Sequence, residues 1–267
     1  MATSTDKRTA RRCVWCDEGS SPDNPITGEH IIAQWFTDAL TGSGQLRHAY
    51  REDGADEDTR AWTANKPSFV VNATCESCNS GWMSDLETQA SKVLPPFIRR
   101  KPGLRINYKN APVLARWAAK TGLMFQTIEL PENRVVPVAH FGRLRDAQIT
   151  TLPSEMRAWI GAVDALGVWC RSFGGTLNLQ NEAVPFYAVL LAVDRVAFLI
   201  IGADHAEALG QLKLVYLERG WMQLWPLRRP ESWPPPYVWP ADQFPGMPQL
   251  MEALIGARAT GQPSARR

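Results

Sequence analysis

Cys75-Glu76-Ser77-Cys78-Asn79-Ser80-Gly81-Trp82-Met83-Ser84-Asp85-Leu86-Glu87 is the stretch on which the reading of this chain turns. A two-residue gap lets both thiolates of one turn face a common centre. The same spacing occurs upstream in Cys13-Val14-Trp15-Cys16, so two pairs supply the four thiolates of a tetrahedral zinc site. Four thiolates leave no coordination position open, and this zinc is expected to be structural and not catalytic. The alternative, a redox pair or unrelated thiols, explains one CxxC better than two. After Asn79 the chain turns helical, with Trp82, Leu86, Ala90 and Val93 along one face and Leu94-Pro95-Pro96 as the expected stop.

Between the cysteine pairs stands Thr27-Gly28-Glu29-His30-Ile31-Ile32, followed by Trp35-Phe36. The order CxxC, acidic-His-Ile, then CxxC-Asn leading into a helix resembles the zinc-containing branch of the HNH endonuclease family. The segments Glu29-His30-Ile31 and Cys78-Asn79-Ser80-Gly81-Trp82 look more narrowly like a group of bacterial HNH proteins. The resemblance covers residues 13–90, about a third of the chain. It implies a ββα-metal fold in which a hairpin carries the histidine and a helix supplies a metal ligand. It also implies His30 as the base that activates water, with Glu29 and Asn79 holding a catalytic divalent cation. Oxygen ligands of this kind suit Mg²⁺ or Mn²⁺, and an imidazole can take a proton from water near neutral pH.

The sequence departs from the family pattern at three points. Val70 stands where the middle asparagine is usual. Asn72, two residues later, is the nearest substitute, because an even displacement along a strand keeps the same face. Trp82 stands near where a phosphate-gripping Lys or Arg is common, and Ala33 replaces a frequent proline. A histidine preceded by glutamate can also be an ordinary paired residue in a zinc-ribbon hairpin. Its place between the cysteine pairs, with Asn79 following, favours catalysis. His48, His140 and His205 carry no motif and are expected at the surface. Asp85 and Glu87 are expected to be solvated unless the helix brings one of them toward the metal, and Cys170 is expected to be a small core residue.

The fold class expected is α+β. A basic tail, 1–12, is expected to be disordered and to precede a zinc-stapled unit over 13–93. That unit carries a surface insertion over 41–66, which includes the acidic run at 52–58. An α+β domain with an antiparallel sheet is expected over 94–255, and a second disordered tail over 256–267. In that domain Ala111–Thr127 reads as a helix with Leu114, Trp117, Ala118 and Thr121 on its buried side. Met156–Val163, Val168–Phe173, Val184–Val193, Arg195–Ile201 and Met222–Trp225 read as strands, with a turn at Asp194. Asp204–Leu217 reads as a further helix, and the Pro/Trp-rich run 225–240 as irregular chain laid over the core.

No apolar run approaches the ~18 residues a membrane span needs, and the first residues hold no apolar signal core. A cytoplasmic protein without a membrane partner is therefore expected, and in that compartment paired cysteines favour metal over disulfides. The formal net charge is only +2, so bulk charge does not mark a nucleic-acid binder. The local cluster Arg99, Arg100, Lys101 and Arg105 is the candidate phosphate-contacting patch. The leading expectation is a metal-dependent nuclease acting on DNA, less readily on RNA, whose second domain positions substrate, binds a protein or forms a homodimer. The alternatives are a non-catalytic zinc module that binds nucleic acid or protein, and an HNH scaffold adapted to other chemistry.

Overall fold

The computed structural model describes residues 11–40, 46–50, 60–64, 69–148, 150–164, 167–179, 182–212 and 220–240. The fold is α+β with antiparallel sheets. Strand β1 (Ile26–His30) pairs antiparallel with β4 (Val70–Cys75). Between them β2 (Leu46–Tyr50) and β3 (Arg60–Ala64) form a separate hairpin inside the interval expected to be an insertion. The acidic run at 52–58 lies outside the described residues, as do residues 1–10 and 241–267. Arg12, expected to be disordered, forms a β-bridge with Gly19 and an ion pair with Asp17.

Beyond β4 the backbone makes one helical turn, α1 (Glu76–Cys78), then a π-helical turn over Asn79–Met83, then α2 (Ser84–Ile98). Gly81 leaves helical geometry at φ −88°, ψ −117°, and so bends the chain between the two helices. The buried stripe of this segment is Met83, Leu86, Ala90, Leu94, Phe97 and Ile98. The expected stop at Pro95-Pro96 is overturned, because α2 runs through both prolines. Proline removes an N–H from the helix ladder, but the turn beyond is anchored elsewhere. Phe97 packs edge-on against Trp233 at 5.6 Å, and the Trp233 indole donates to the Phe97 carbonyl. The domain boundary expected after Val93 therefore falls inside a helix.

After β5 (Arg105–Ile106) comes α3 (Ala111–Phe125), all fifteen residues of which are buried. α4 (Val138–Asp146) follows; the sequence reading missed it. It buries His140, Phe141 and Leu144, so His140 is a core residue and not the surface residue expected. His140 Nδ1 lies 3.0 Å from the Tyr187 hydroxyl. The large sheet comprises β6 (Met156–Asp164), β7 (Val168–Leu179), β8 (Glu182–Val193), β9 (Val196–Ala203) and β10 (Trp221–Trp225). Their spatial order is β10-β6-β9-β8-β7, all antiparallel. β8 and β9 are joined by the two residues Asp194-Arg195, and Asp194 takes the left-handed φ of +53° that such a tight turn needs. The expected helix at 204–217 is a 3-10 helix, Ala206–Gln211, with 213–219 outside the described residues. In the Pro/Trp-rich run, β11 (Glu231–Ser232) pairs with β5, and β12 (Val238–Pro240) runs parallel to β6.

Helix α3 is buried all round because it is shared. Trp117 stacks on Phe36 of the amino-terminal layer at 5.5 Å and meets Phe198 of β9 at 5.8 Å. A single apolar cluster consequently runs from Cys13 to Trp233. Gly122 sets the closest approach of α3 to the sheet, since a Cβ there would come within 2.9 Å of Val189 Cγ1. Gly122→Ala is expected to destabilise the protein. Overpacking costs about 1–3 kcal/mol, which outweighs a helix-propensity gain of about 0.5–1 kcal/mol. A lower urea midpoint would show it.

Candidate functional site

The four cysteines come together. One ligand atom from each of Cys13, Cys16, Cys75 and Cys78 lies within 4.8 Å of every other, and Cys16 Sγ is 3.6 Å from Cys75 Sγ. Tetrahedral zinc with bonds of about 2.3 Å places its sulfurs about 3.8 Å apart, so the cluster can hold a metal ion such as zinc. The first knuckle is a tight turn closed by the Asp17 N–H donating to the Cys13 carbonyl. The second uses the start of α1, where Cys75 is the N-cap. Hydrogen bonding from Cys78 draws the Cys13 thiol down to about 4, and the same contact pushes Cys78 far up. Burial raises Cys16 to about 11. Thiols this close cannot all ionise without a cation among them.

Beside the cluster lies a cavity of about 380 Å³, lined in part by Glu29, His30, Gln34, Glu76, Asn79 and Glu87. Glu29 and His30 arrive on the last two residues of β1, whereas Asn79 arrives from the residue after Cys78. The Asn79 amide donates to Thr27 Oγ1 at 3.1 Å and ties the π-helical turn to β1. Its carboxamide oxygen is thereby left as an acceptor. The Gln34 amide nitrogen lies 3.1 Å from His30 Nε2. With Gln34 donating, Nε2 is the basic nitrogen. Nδ1 is buried without a hydrogen-bond partner among the described residues. An unmet buried polar atom costs about 1–3 kcal/mol and is the kind of feature found where function outranks stability.

Helix α3 contributes a residue that the sequence reading overlooked. The fully buried Lys120 ammonium donates to Glu29 Oε1 at 2.7 Å and to Glu87 Oε1 at 3.0 Å. The other oxygen of Glu87 accepts from the Trp35 and Trp117 indoles at 2.8 and 3.2 Å. Glu87 is thus held inside the protein and not solvated as expected, while Asp85 is exposed. Lys120 stands three residues after Trp117 and four before Met124, on a buried face of an apolar helix. A cation at such a position signals a buried partner. Burial acts to lower the Lys120 pKa, but the charges of Glu87 and Glu29 and their hydrogen bonds outweigh it and hold it above the ordinary value. Stability from this raised pKa is complete below the ordinary lysine value and is lost as pH rises through the folded value. The gap in urea midpoint between native protein and Lys120→Met is therefore expected to narrow once pH passes about 10.4.

The remaining sequence candidates are placed elsewhere. Asn72 is exposed on β4 and is absent from the cavity wall. The even displacement holds, since Val70 and Asn72 are both exposed and both lie beside Gly28, but neither lines the cavity. The Arg99 guanidinium donates to the Asp38 carbonyl. Arg100 donates to Asp164 at 2.8 Å and to the Val163 carbonyl at 2.7 Å. Both tie α2 to neighbouring chain; Arg99, Lys101 and Arg105 are exposed, and Arg100 is half-buried. No helix among the described residues is long and apolar enough to cross a membrane. Compared with known proteins, the chain matches no family model, no curated protein and no solved structure.

Proposed function

We propose that the chain is an HNH-type nuclease that hydrolyses phosphodiester bonds in DNA with the help of a divalent cation. One observation carries the reading: Glu29, His30 and Asn79, from segments about fifty residues apart, line one cavity beside the four-cysteine cluster. The antiparallel β1–β4 pair leading directly into helix fits the ββα arrangement of that family. The donor set suits a hard cation. Glu29 keeps one carboxylate oxygen clear of Lys120, and Asn79 keeps its carboxamide oxygen. Such a cation, when bound, neutralises charge on the scissile phosphate and the leaving oxygen.

The residues of the chain supply the rest. Once Gln34 gives up its hydrogen bond to Nε2, His30 takes a proton there from water as the water oxygen bonds to phosphorus; the bond from phosphorus to the 3′ oxygen breaks, and that oxygen takes a proton from solvent. Gln34, exposed at the start of a 3-10 helix, holds the ring from the solvent side. Arg99, Lys101 and Arg105 are the exposed members of the basic patch and would meet phosphates, giving a salt-dependent affinity. Incubation with supercoiled plasmid and single-stranded DNA in Mg²⁺ or Mn²⁺ tests the proposal. Absence of cleavage by folded, zinc-loaded protein in either metal would sink it. A second reading, an HNH scaffold adapted to other phosphoester chemistry, is favoured by the ammonium that already neutralises Glu29. Hydrolysis of small phosphodiesters without added metal would select it.

A further inference from the structure

Lys120, Glu29 and Glu87 form a buried cluster of two carboxylates and one ammonium, with formal charge −2 + 1 = −1. The two glutamates differ in what they have left to offer. Glu87 accepts from Lys120 through Oε1 and from two indoles through Oε2, so neither oxygen is unengaged. Glu29 accepts only through Oε1, and its Oε2 has no hydrogen-bond partner among the described residues. Glu29 comes from β1 and Lys120 from α3, 91 residues later in the chain, so the sheet-packed helix fixes the carboxylate's orientation. Turning that carboxylate to present both oxygens would break a charge-assisted hydrogen bond from an ammonium that has no access to water.

We propose that Lys120 is a positioning residue that presents Glu29 to the cavity through a single oxygen. The site is thereby biased toward a small, water-rich cation such as Mg²⁺ or Mn²⁺ and against Ca²⁺. This inference rests on the cation-dependent reading given above. Its chemistry is that of ligand number. Mg²⁺ takes one or two carboxylate oxygens, keeps several waters and demands octahedral geometry. Ca²⁺ takes six to eight oxygens and commonly binds carboxylates through both. Removing the ammonium frees the second oxygen and benefits the larger ion most.

The experiment is calorimetric titration of the full-length, zinc-loaded chain with MgCl₂, MnCl₂ and CaCl₂, for native protein, Lys120→Met, Glu87→Gln and Glu29→Gln. Native protein is expected to prefer Mg²⁺ or Mn²⁺, with binding lost in Glu29→Gln. Lys120→Met is expected to shift the Ca²⁺-to-Mg²⁺ affinity ratio toward Ca²⁺ by about tenfold or more. Glu87→Gln keeps the Lys120–Glu29 contact, so it is expected to weaken both ions and leave the ratio in place. Equal changes for all ions in Lys120→Met would make Lys120 a mere counter-charge and overturn the inference. If Lys120→Met does not fold, carboxylate infrared difference spectra of native protein with and without Ca²⁺ decide the matter. The wide splitting of one-oxygen coordination, lost in Glu29→Gln, supports the proposal, and the narrow splitting of two-oxygen coordination overturns it. Metal-dependent DNA cleavage with an unshifted ratio removes this inference alone. Native protein that takes up no cation at Glu29 removes both it and the nuclease reading.

Discussion

Cys75→Ser is expected to abolish metal binding at the four-cysteine cluster and to unfold the amino-terminal layer around it. Metal analysis should fall from about one ion per chain to near none. The native melting transition should be lost or displaced by tens of degrees. The scale follows from two general magnitudes. Structural zinc binds such sites with an apparent ~10–16 kcal/mol, whereas a whole domain is stable by only about 5–15 kcal/mol. Local geometry points the same way. Cys13, Cys75 and Cys78 are buried in the common core, and β1 and β4 are strands of five and six residues joined across a long connection. Without the cation, a cluster that contains one favoured thiolate and thiols forced neutral gives little to close that connection. Loss of the cluster would also part Asn79 from Thr27 and open the cavity. A Cys75→Ser protein that keeps stoichiometric metal and the native melting temperature would remove the cluster from its assigned role.

What could be read before folding was chemistry confined to short segments. Each CxxC turn is local, and two of them announce their common centre without any structure. The long apolar runs at 156–203 became strands close to where pattern placed them, because β-branched and aromatic residues on a buried sheet leave few alternatives. The failures came where a distant partner decides. Pro95-Pro96 should stop a helix by local rules, yet Phe97 and Ile98 are drawn on by a core that includes Trp233. Asn72 failed although it shares the face of Val70, because alternation along β4 does not say whether that face meets the cavity. Glu87 looked solvated because three of its donors come from Trp35, Trp117 and Lys120, none of them near it in sequence. Lys120 itself was the one legible clue, a charged residue on the inner face of an apolar helix.

His30→Ala is expected to lower DNA cleavage by about 10²–10⁴-fold, with metal content and melting temperature close to native. Removing a general base costs rate in this range when water must lose its proton unaided. The folded state should tolerate the change, because the only hydrogen bond of the ring among the described residues is to Gln34, which is exposed. Removing the ring also removes the buried Nδ1 that lacks a partner, a change expected to be neutral or mildly stabilising. Opposite signs of effect on rate and stability separate a catalytic histidine from one kept for structure. A structural histidine paired with its neighbour would lose stability and leave any cleavage untouched. The measurement is initial nicking rate on supercoiled plasmid in Mn²⁺, alongside thermal melts and metal analysis of the same preparations. Cleavage undiminished in His30→Ala would place the reaction elsewhere. Cleavage lost together with the fold would return His30 to the zinc scaffold. Loss of rate in a protein that still melts like the native one makes the imidazole the base, working in the same cavity as the carboxylate that Lys120 holds in place.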